Sequence, residues 1–313
     1  MAFCLLLSLS FFTSCKKEDP EAQPKPETVA ELAETNPELS MLADALGKSN
    51  LEEEISPYGP ITVFGPTNAA FQEFLDSNEA WESINDLPVQ TLMNVLSFHL
   101  VEGNIMSTDL SDTYLKTYAK GPNQEALSLQ VNTADGVVFN GNATPVLVDL
   151  EFSYGVLHVI DKVMLPPNIV TLALNNSNFS SLVEALTDSR HTTDFVALLS
   201  EEGPFTVFAP TNEAFEALLA SNEAWESLSD IPIETLEAVL TYHVLGEANV
   251  QADQLSDGEL TMLGGGTLTI DLTEGAQIMT SSGQTVNILV GEATNDVQGI
   301  NGVIHAVDAV LIP

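Results

Sequence analysis

The chain has 313 residues, 44% of them hydrophobic, which is material for two packed domains and excludes disorder along its whole length. Its 45 acidic and 8 basic side chains leave a net charge of −37, so phosphates would meet almost no counter-charge and nucleic-acid binding is excluded. Both cysteines, Cys4 and Cys15, lie at the start, which removes disulfides, Cys-ligated zinc, iron–sulfur clusters and a cysteine nucleophile from the rest of the chain.

Residues 2–12 form an apolar run too short for a membrane-spanning helix of roughly 20 residues. The run fits the apolar region of an export signal. Phe12-Thr13-Ser14-Cys15 follows it and resembles a bacterial lipobox, with Cys15 as the lipid-attachment residue. Phe stands at the −3 position where Leu is usual, and no Lys or Arg precedes the apolar run. Residues 1–15 are therefore expected to be a lipoprotein signal peptide and residues 16–27 a Pro-punctuated tether. The Lys16-Lys17-Glu18-Asp19-Pro20-Glu21 stretch resembles the surface-export signal of Bacteroidetes lipoproteins. The expected location is the cell envelope, lipid-anchored at the outer membrane and exposed on the surface.

Leu39, Leu42, Ala43 and Leu46 recur at helical spacing, with Gly47 and Asn50 offering a stop. Thr62-Val63-Phe64 reads as a short strand ended by Pro66. Thr67 or Asn68 can cap a helix whose face is Phe71, Phe74 and Leu75. Pro88 opens another through Leu92, Val95, Leu96 and His99. Beyond about Gly103 the pattern changes to short β-type runs at residues 127–131, 136–139, 146–148 and 156–160. Helices segregated from an antiparallel sheet make an α+β domain.

The whole pattern then repeats. Residues 62–71 recur at 206–215, residues 77–83 recur unchanged at 221–227, and Phe98-His99 matches Tyr242-His243, all at an offset of 144. Residues 155–161 match 302–308 at an offset of 147. A period this long marks a duplicated domain, and the expected boundaries are 28–167 and 168–313.

These residues resemble the fasciclin domain family. The first signature occupies Thr62, Phe64, Pro66, Thr67, Asn68 and Phe71, with Gly65 replacing the usual Ala, and again Thr206, Phe208, Pro210, Thr211, Asn212 and Phe215. The central Tyr-His pair is Phe98-His99 in copy one and Tyr242-His243 in copy two. The closing signature carries His158 and Asp161, then His305 and Asp308. The resemblance implies two tandem wedge-like antiparallel β-sandwiches with packed helices. It also implies residence outside the cell and roles in adhesion or matrix interaction.

Chemistry finds little purchase in the pattern. His158 and Asp161 suggest part of a Ser-His-Asp set, but positions i and i+3 of a strand point to opposite faces, and no G-x-S-x-G elbow supplies a nucleophile. Each copy offers two histidines without cysteine, fewer than the four ligands of a zinc site. The expectation is buried structural histidines that satisfy the Thr67-Asn68 and Thr211-Asn212 turns. No catalytic residue, metal or cofactor is expected. The acidic loops at 109–112 and 253–259 lack a calcium-loop pattern and read as solvated surface. Gly264-Gly265-Gly266 lacks a following Lys-Ser/Thr and reads as a turn. Trp81 and Trp225 read as helix staples or as platforms for ligand contact. The expected function is a non-enzymatic adhesion or protein-interaction module whose partner is an extracellular protein or polysaccharide. The alternative is a glycan- or small-ligand-binding protein of the same fold.

Overall fold

The computed structural model describes residues 27–51, 59–291 and 294–313. The expected export signal, Cys15 and all but the last residue of the expected tether lie outside them. The first domain begins with the helix Val29–Glu34, capped by Thr28 Oγ1 accepting from Glu31 N at 3.1 Å. Ser40–Ser49 follows and stops at Asn50, whose left-handed φ of 52° ends the helix. Among the described residues, helices Asn68–Asp76 and Val89–Phe98 continue the helical layer.

The strands are β1 (Ile61–Pro66), β2 (Leu100–Glu102), β3 (Thr113–Lys120), β4 (Ala126–Asn132), β5 (Val138–Phe139), β6 (Pro145–Phe152) and β7 (Gly155–Ile160). They form one sheet in the order β5-β4-β3-β2-β1-β7-β6. β5 and β1 are four places apart, about 19 Å in a flat sheet with strands roughly 4.8 Å apart. Yet the rings of Phe64 on β1 and Phe139 on β5 have centroids 4.6 Å apart. The sheet therefore folds over on itself, with Phe64, Phe98, Leu129, Phe139 and Ile160 between its halves. The other face of β1 and β7 meets the helices through Ile61, Val63, Leu157 and Val159, against Leu42, Leu46, Phe71 and Leu92. All six residues of β1 are buried, and strand alternation sorts them between the two cores.

The second domain repeats the plan. Helices Ile169–Leu174, Ser180–Leu186, Phe195–Leu199, Asn212–Ala220 and Ile233–Tyr242 cover one face. Its strands are β8 (Phe205–Pro210), β9 (Val244–Gly246), β10 (Gly258–Thr261), β11 (Thr267–Asp271), β12 (Gln277–Thr280), β13 (Thr285–Asn287), β14 (Val297–Gly299) and β15 (Gly302–Val307). They make two four-stranded sheets, β10-β11-β12-β13 and β14-β15-β8-β9. Phe208, Tyr242, Leu268, Ile270, Ile278 and Val286 fill the space between them.

The antiparallel expectation needs one correction. One interior pair of each domain is parallel: β1 with β7, and β8 with β15. Nearly a whole domain connects the two strands of each pair, and a long connection is what parallel neighbours require. The Gly65 departure also has a cause. A Cβ there would lie 2.6 Å from Leu157 Cδ1 and 2.7 Å from Leu42 Cδ2, so copy one fills that space from its neighbours.

Candidate functional site

The signature residues act on the backbone. Thr62 Oγ1 donates to Gly103 O at 2.8 Å and accepts from Ile105 N at 2.9 Å. One strand over, His158 Nε2 donates to Ile105 O at 2.8 Å, and its Nδ1 accepts from Asp149 N at 3.3 Å. Thr206 and His305 do the same to Ala248, Val250 and Asp296 N. Thr and His on adjoining parallel strands thus clamp one loop. This assigns His158 and His305 as neutral Nε2–H tautomers. Burial holds His305 below the usual imidazole pKa. Hydrogen bonds from the Ser107 hydroxyl and N–H hold the Asp149 carboxyl below the usual carboxylate range.

His99 and His243 tie a helix end to the closing segment. His99 Nδ1 donates to Val95 O at 2.7 Å while Nε2 accepts from Met164 N at 3.0 Å. His243 bonds Val239 O at 2.7 Å and Leu311 N at 2.9 Å. Burial lowers both to about 4.

The expectation that the histidines serve the Pro-Thr-Asn turns is therefore corrected. Those turns satisfy themselves. Thr67 and Thr211 cap the helices that follow, accepting from Ala70 N and Ala214 N. Asn68 reaches back to Met41 N, Pro37 O and Ser40 Oγ, and Asn212 to Ser181 N, Ser177 O and Ser180 Oγ. Asp161 accepts from Thr144 N and Oγ1, each at 2.7 Å, and Asp308 accepts from Asn287 N and Nδ2. Neither Asp bonds the histidine three residues before it. The remaining signature positions, Phe64, Phe71, Phe208, Phe215 and Tyr242, are core side chains, while Pro66 and Pro210 end β1 and β8. Every lone pair of the four imidazoles receives a backbone N–H. Among the described residues no three or more His, Cys, Asp or Glu side chains group as metal ligands.

The indoles sit on the helical side. Trp81 is half-buried with its ring 5.4 Å from that of Phe74, and Trp225 packs at the edge of the second domain's helical core. The acidic loops are engaged locally: Asp109 accepts from Met106 N, Asp112 from Thr133 N and Asp257 from Leu272 N. Met262 N donates to Gly266 O across the triple-glycine turn, and a Cβ at Gly266 would approach the Tyr242 ring to 2.9 Å.

Two features were missed in the sequence. The first is the seam between domains, built from neutral amides and hydroxyls. Gln298, 1% exposed, exchanges hydrogen bonds with Asn249, accepts from Gln251 and donates to Gly299 O and Gly302 O. Its own N–H donates to Ser128 Oγ of the first domain at 2.9 Å. Asn123, Gln130, Asn175 and Asn176 add bonds to Asn249 O, Asn175 O, Asn140 O and Tyr114 Oη. Gly121 permits the approach, since a Cβ there would lie 2.9 Å from Gly299 O. Comparing the copies could have revealed the seam, because Gln298 stands where copy one has the exposed Glu151. Three clefts flank it. One of about 400 Å³ is lined by Tyr114, Lys116 and Asp296. Another, about 380 Å³, lies between Tyr118, Lys120 and Ile300. The third, about 140 Å³, lies between Gln130 and Asn178.

The second missed feature is a pair of cationic clamps. Lys48 Nζ donates to Ile84 O, Asn85 O and Leu87 O at 2.9, 2.7 and 2.6 Å. Arg190 donates to the matching carbonyls of Leu228, Ser229 and Ile231 while pairing with Asp188.

Comparison with known proteins gives consistent results. The Fasciclin domain model matches residues 37–166 and 177–313. Protein sll1483 of Synechocystis sp. is 39% identical over 148 residues, covering 46% of this chain and 73% of that protein. Human Periostin is 29% identical over 269 residues, covering 85% of this chain, which spans 30% of Periostin's length. A solved FAS1 domain pair from the insect cell adhesion molecule Fasciclin I aligns with a TM-score of 0.51 at 17% identity, covering 89% of this chain and 98% of that one.

Proposed function

This chain belongs to the fasciclin domain family, with two copies of the domain in tandem, and from that premise we propose a non-enzymatic interaction module, held at the cell envelope by a lipid on Cys15 and working in adhesion or protein capture outside the cell. The observation that carries the reading is the outer strand of the first domain. β6 ends its sheet, and Val146, Leu147 and Val148 on it are 61, 46 and 37% exposed. A strand edge with outward apolar side chains is a template for strand addition by a partner chain. The signature side chains, by contrast, are spent on the protein's own backbone, which favours a structural use over catalysis. Fasciclin I is described as a cell adhesion molecule, and that supports the same role here.

The anchor rests on the apolar run that stops at Cys15 and on the tether after it. Among the described residues no helix is long and apolar enough to cross a membrane. Cys15→Ala is expected to release the protein from membranes or leave it unprocessed, read by lipid labelling and fractionation. Unchanged labelling would end the anchor reading. For the module itself, the double variant Val146→Lys and Val148→Lys places charge on the open strand edge. It is expected to lose partners captured by the unaltered chain from a cell-surface extract, with an unchanged melting temperature. Undiminished capture would contradict the role of this edge.

A second reading, an extracellular glycan- or small-ligand-binding protein, is favoured by the clefts along the seam. Glycan binding that vanishes with Trp225→Ala would instead place that site at the indole.

A further inference from the structure

We propose that His191 and Glu237 form a protonation latch: a doubly protonated imidazole holds the turn at residues 187–194 on the helix Ile233–Tyr242, and loss of its second proton to solvent as the pH rises releases that turn. His191 is the fifth histidine of the chain and lies outside the repeated signatures. It stands between the helices Ser180–Leu186 and Phe195–Leu199, and its side chain is 4% exposed.

Both ring nitrogens face oxygens that can only accept. Nε2 lies 2.7 Å from Ala185 O, and a carbonyl has no proton to give, so Nε2 carries one. Nδ1 lies 3.4 Å from Glu237 Oε1, an ion-pair distance longer than a full hydrogen bond. Glu237 is ionised: Thr192 N donates to the same oxygen at 2.9 Å and holds the carboxyl below the usual carboxylate range. A neutral ring would turn a buried lone pair toward that carboxylate, and Nδ1 has no hydrogen-bond partner among the described residues. Leaving such a group unpaired is unfavourable. Only the imidazolium supplies a proton toward each acceptor. Phe195 packs against the ring in a T shape, with centroids 4.9 Å apart.

The charges around the ring favour its second proton. Asp188, in the same turn, is held down to about 2 by hydrogen bonds from Arg190, so it too is an anion. Arg190 is paired with it at 2.6 Å. The helix Ser180–Leu186 presents the Ala185 carbonyl and the helix Phe195–Leu199 presents Phe195, neither of which titrates. Asp194 caps the latter helix, accepting from Ala197 N at 2.9 Å. Glu237 and Asp188 thus stand against one guanidinium, in a chain of net charge −37. The latch has two limits, protonation of Glu237 in acid and loss of the second His191 proton in base. Its stabilisation is present while the ring is doubly protonated and is lost as the pH rises, the opposite sign to His99 and His243. The same turn carries Arg190, which donates to Leu228 O, Ser229 O and Ile231 O, so the latch and the cationic clamp share one anchor point. The first domain has Met93 where the repeat places Glu237, so the device belongs to the second domain.

The test follows the imidazole nitrogens of His191 in the whole chain by proton–nitrogen correlation NMR from about pH 5 upward, beside the variants Glu237→Gln and His191→Gln. At the acid end both ring nitrogens of the unaltered chain are expected to carry protons. In Glu237→Gln the second proton should leave at a pH about one unit lower. Amide exchange at residues 187–194, corrected for its intrinsic pH dependence, should lose about tenfold in protection across the ring's transition. In His191→Gln that protection should stay level. A ring with a single proton throughout, or a transition at the same pH in the unaltered chain and Glu237→Gln, would overturn the ion pair. Protection at residues 187–194 that does not follow the ring's transition would overturn the latch.

Discussion

At the scale of single residues, the four signature histidines are backbone connectors that depend on being neutral. His99 and His243 are held at about 4 by burial, against an ordinary value near 6.5 in the unfolded chain. Their folded pKa is depressed, so protonation favours unfolding. The stability they protect is complete above about pH 6.5 and is lost as pH falls toward 4, by roughly 3 kcal/mol for each at the low end. Melting temperatures taken across this window should fall less steeply in His243→Gln than in the unaltered chain. Equal slopes would mean that His243 does not titrate between the two states. For the loop clamp, His305→Ala leaves Val250 O and Asp296 N without their partner, a loss of roughly 2–4 kcal/mol including the cavity. Hydrogen exchange should quicken at residues 248–250 of the second domain and stay unchanged at the matching residues 103–105 of the first. Equal acceleration in both would contradict a local clamp.

At the scale of elements, the duplicated 3₁₀ segments Ile84–Asp86 and Leu228–Asp230 are each held by a cation, Lys48 from the helix Ser40–Ser49 and Arg190 from the turn after the helix Ser180–Leu186. Lys48→Ala should lower stability by about 1–2 kcal/mol, because hydrogen bonds from a charged donor are the stronger kind. Arg190→Lys should keep most of the melting temperature that Arg190→Ala loses, since copy one performs the same task with Lys. A loss as large as that of Arg190→Ala would show that the planar guanidinium is required. Neither clamp was legible in the sequence, because a Lys and an Arg 142 residues apart do not align at the repeat offset of 144. The helices were legible, since Leu42, Leu46, Phe71 and Leu92 repeat at helical spacing and all point at one core. Strand β3 was not: Thr113–Lys120 alternates Lys, Thr and Tyr with few aliphatic residues. Its inner side chains pack on non-local neighbours, Ala119 and Leu115 in the first domain's own core and Tyr114 against the second domain's, which local pattern does not report. The histidines were correctly seen as repeated and polar, but their partners lie 53 to 68 residues away at Ile105, Met164, Val250 and Leu311. Only the parallel pairing of the first and last strands brings them together.

At the scale of the molecule, two strongly acidic domains are joined through a seam from which charge is nearly absent. Gln298, Asn249, Gln251, Ser128 and Gln130 meet there, while the exposed Glu151 marks what the equivalent strand of copy one carries. Gln298→Glu would replace a double donor with an acceptor beside Gly299 O and Gly302 O and bury a charge without a cation. A penalty of roughly 3 kcal/mol or more is expected, seen as separation of one thermal transition into two. The seam is also what would let β6 at one end and the clefts in the middle be presented in a fixed relation to a partner. Residual dipolar couplings of the whole chain in a weakly aligning medium test this most directly. If the pair is one rigid interaction unit, couplings from residues 61–160 and from residues 205–307 fit a single alignment tensor. Two tensors of different magnitude or orientation would mean that the domains move independently and would contradict the account.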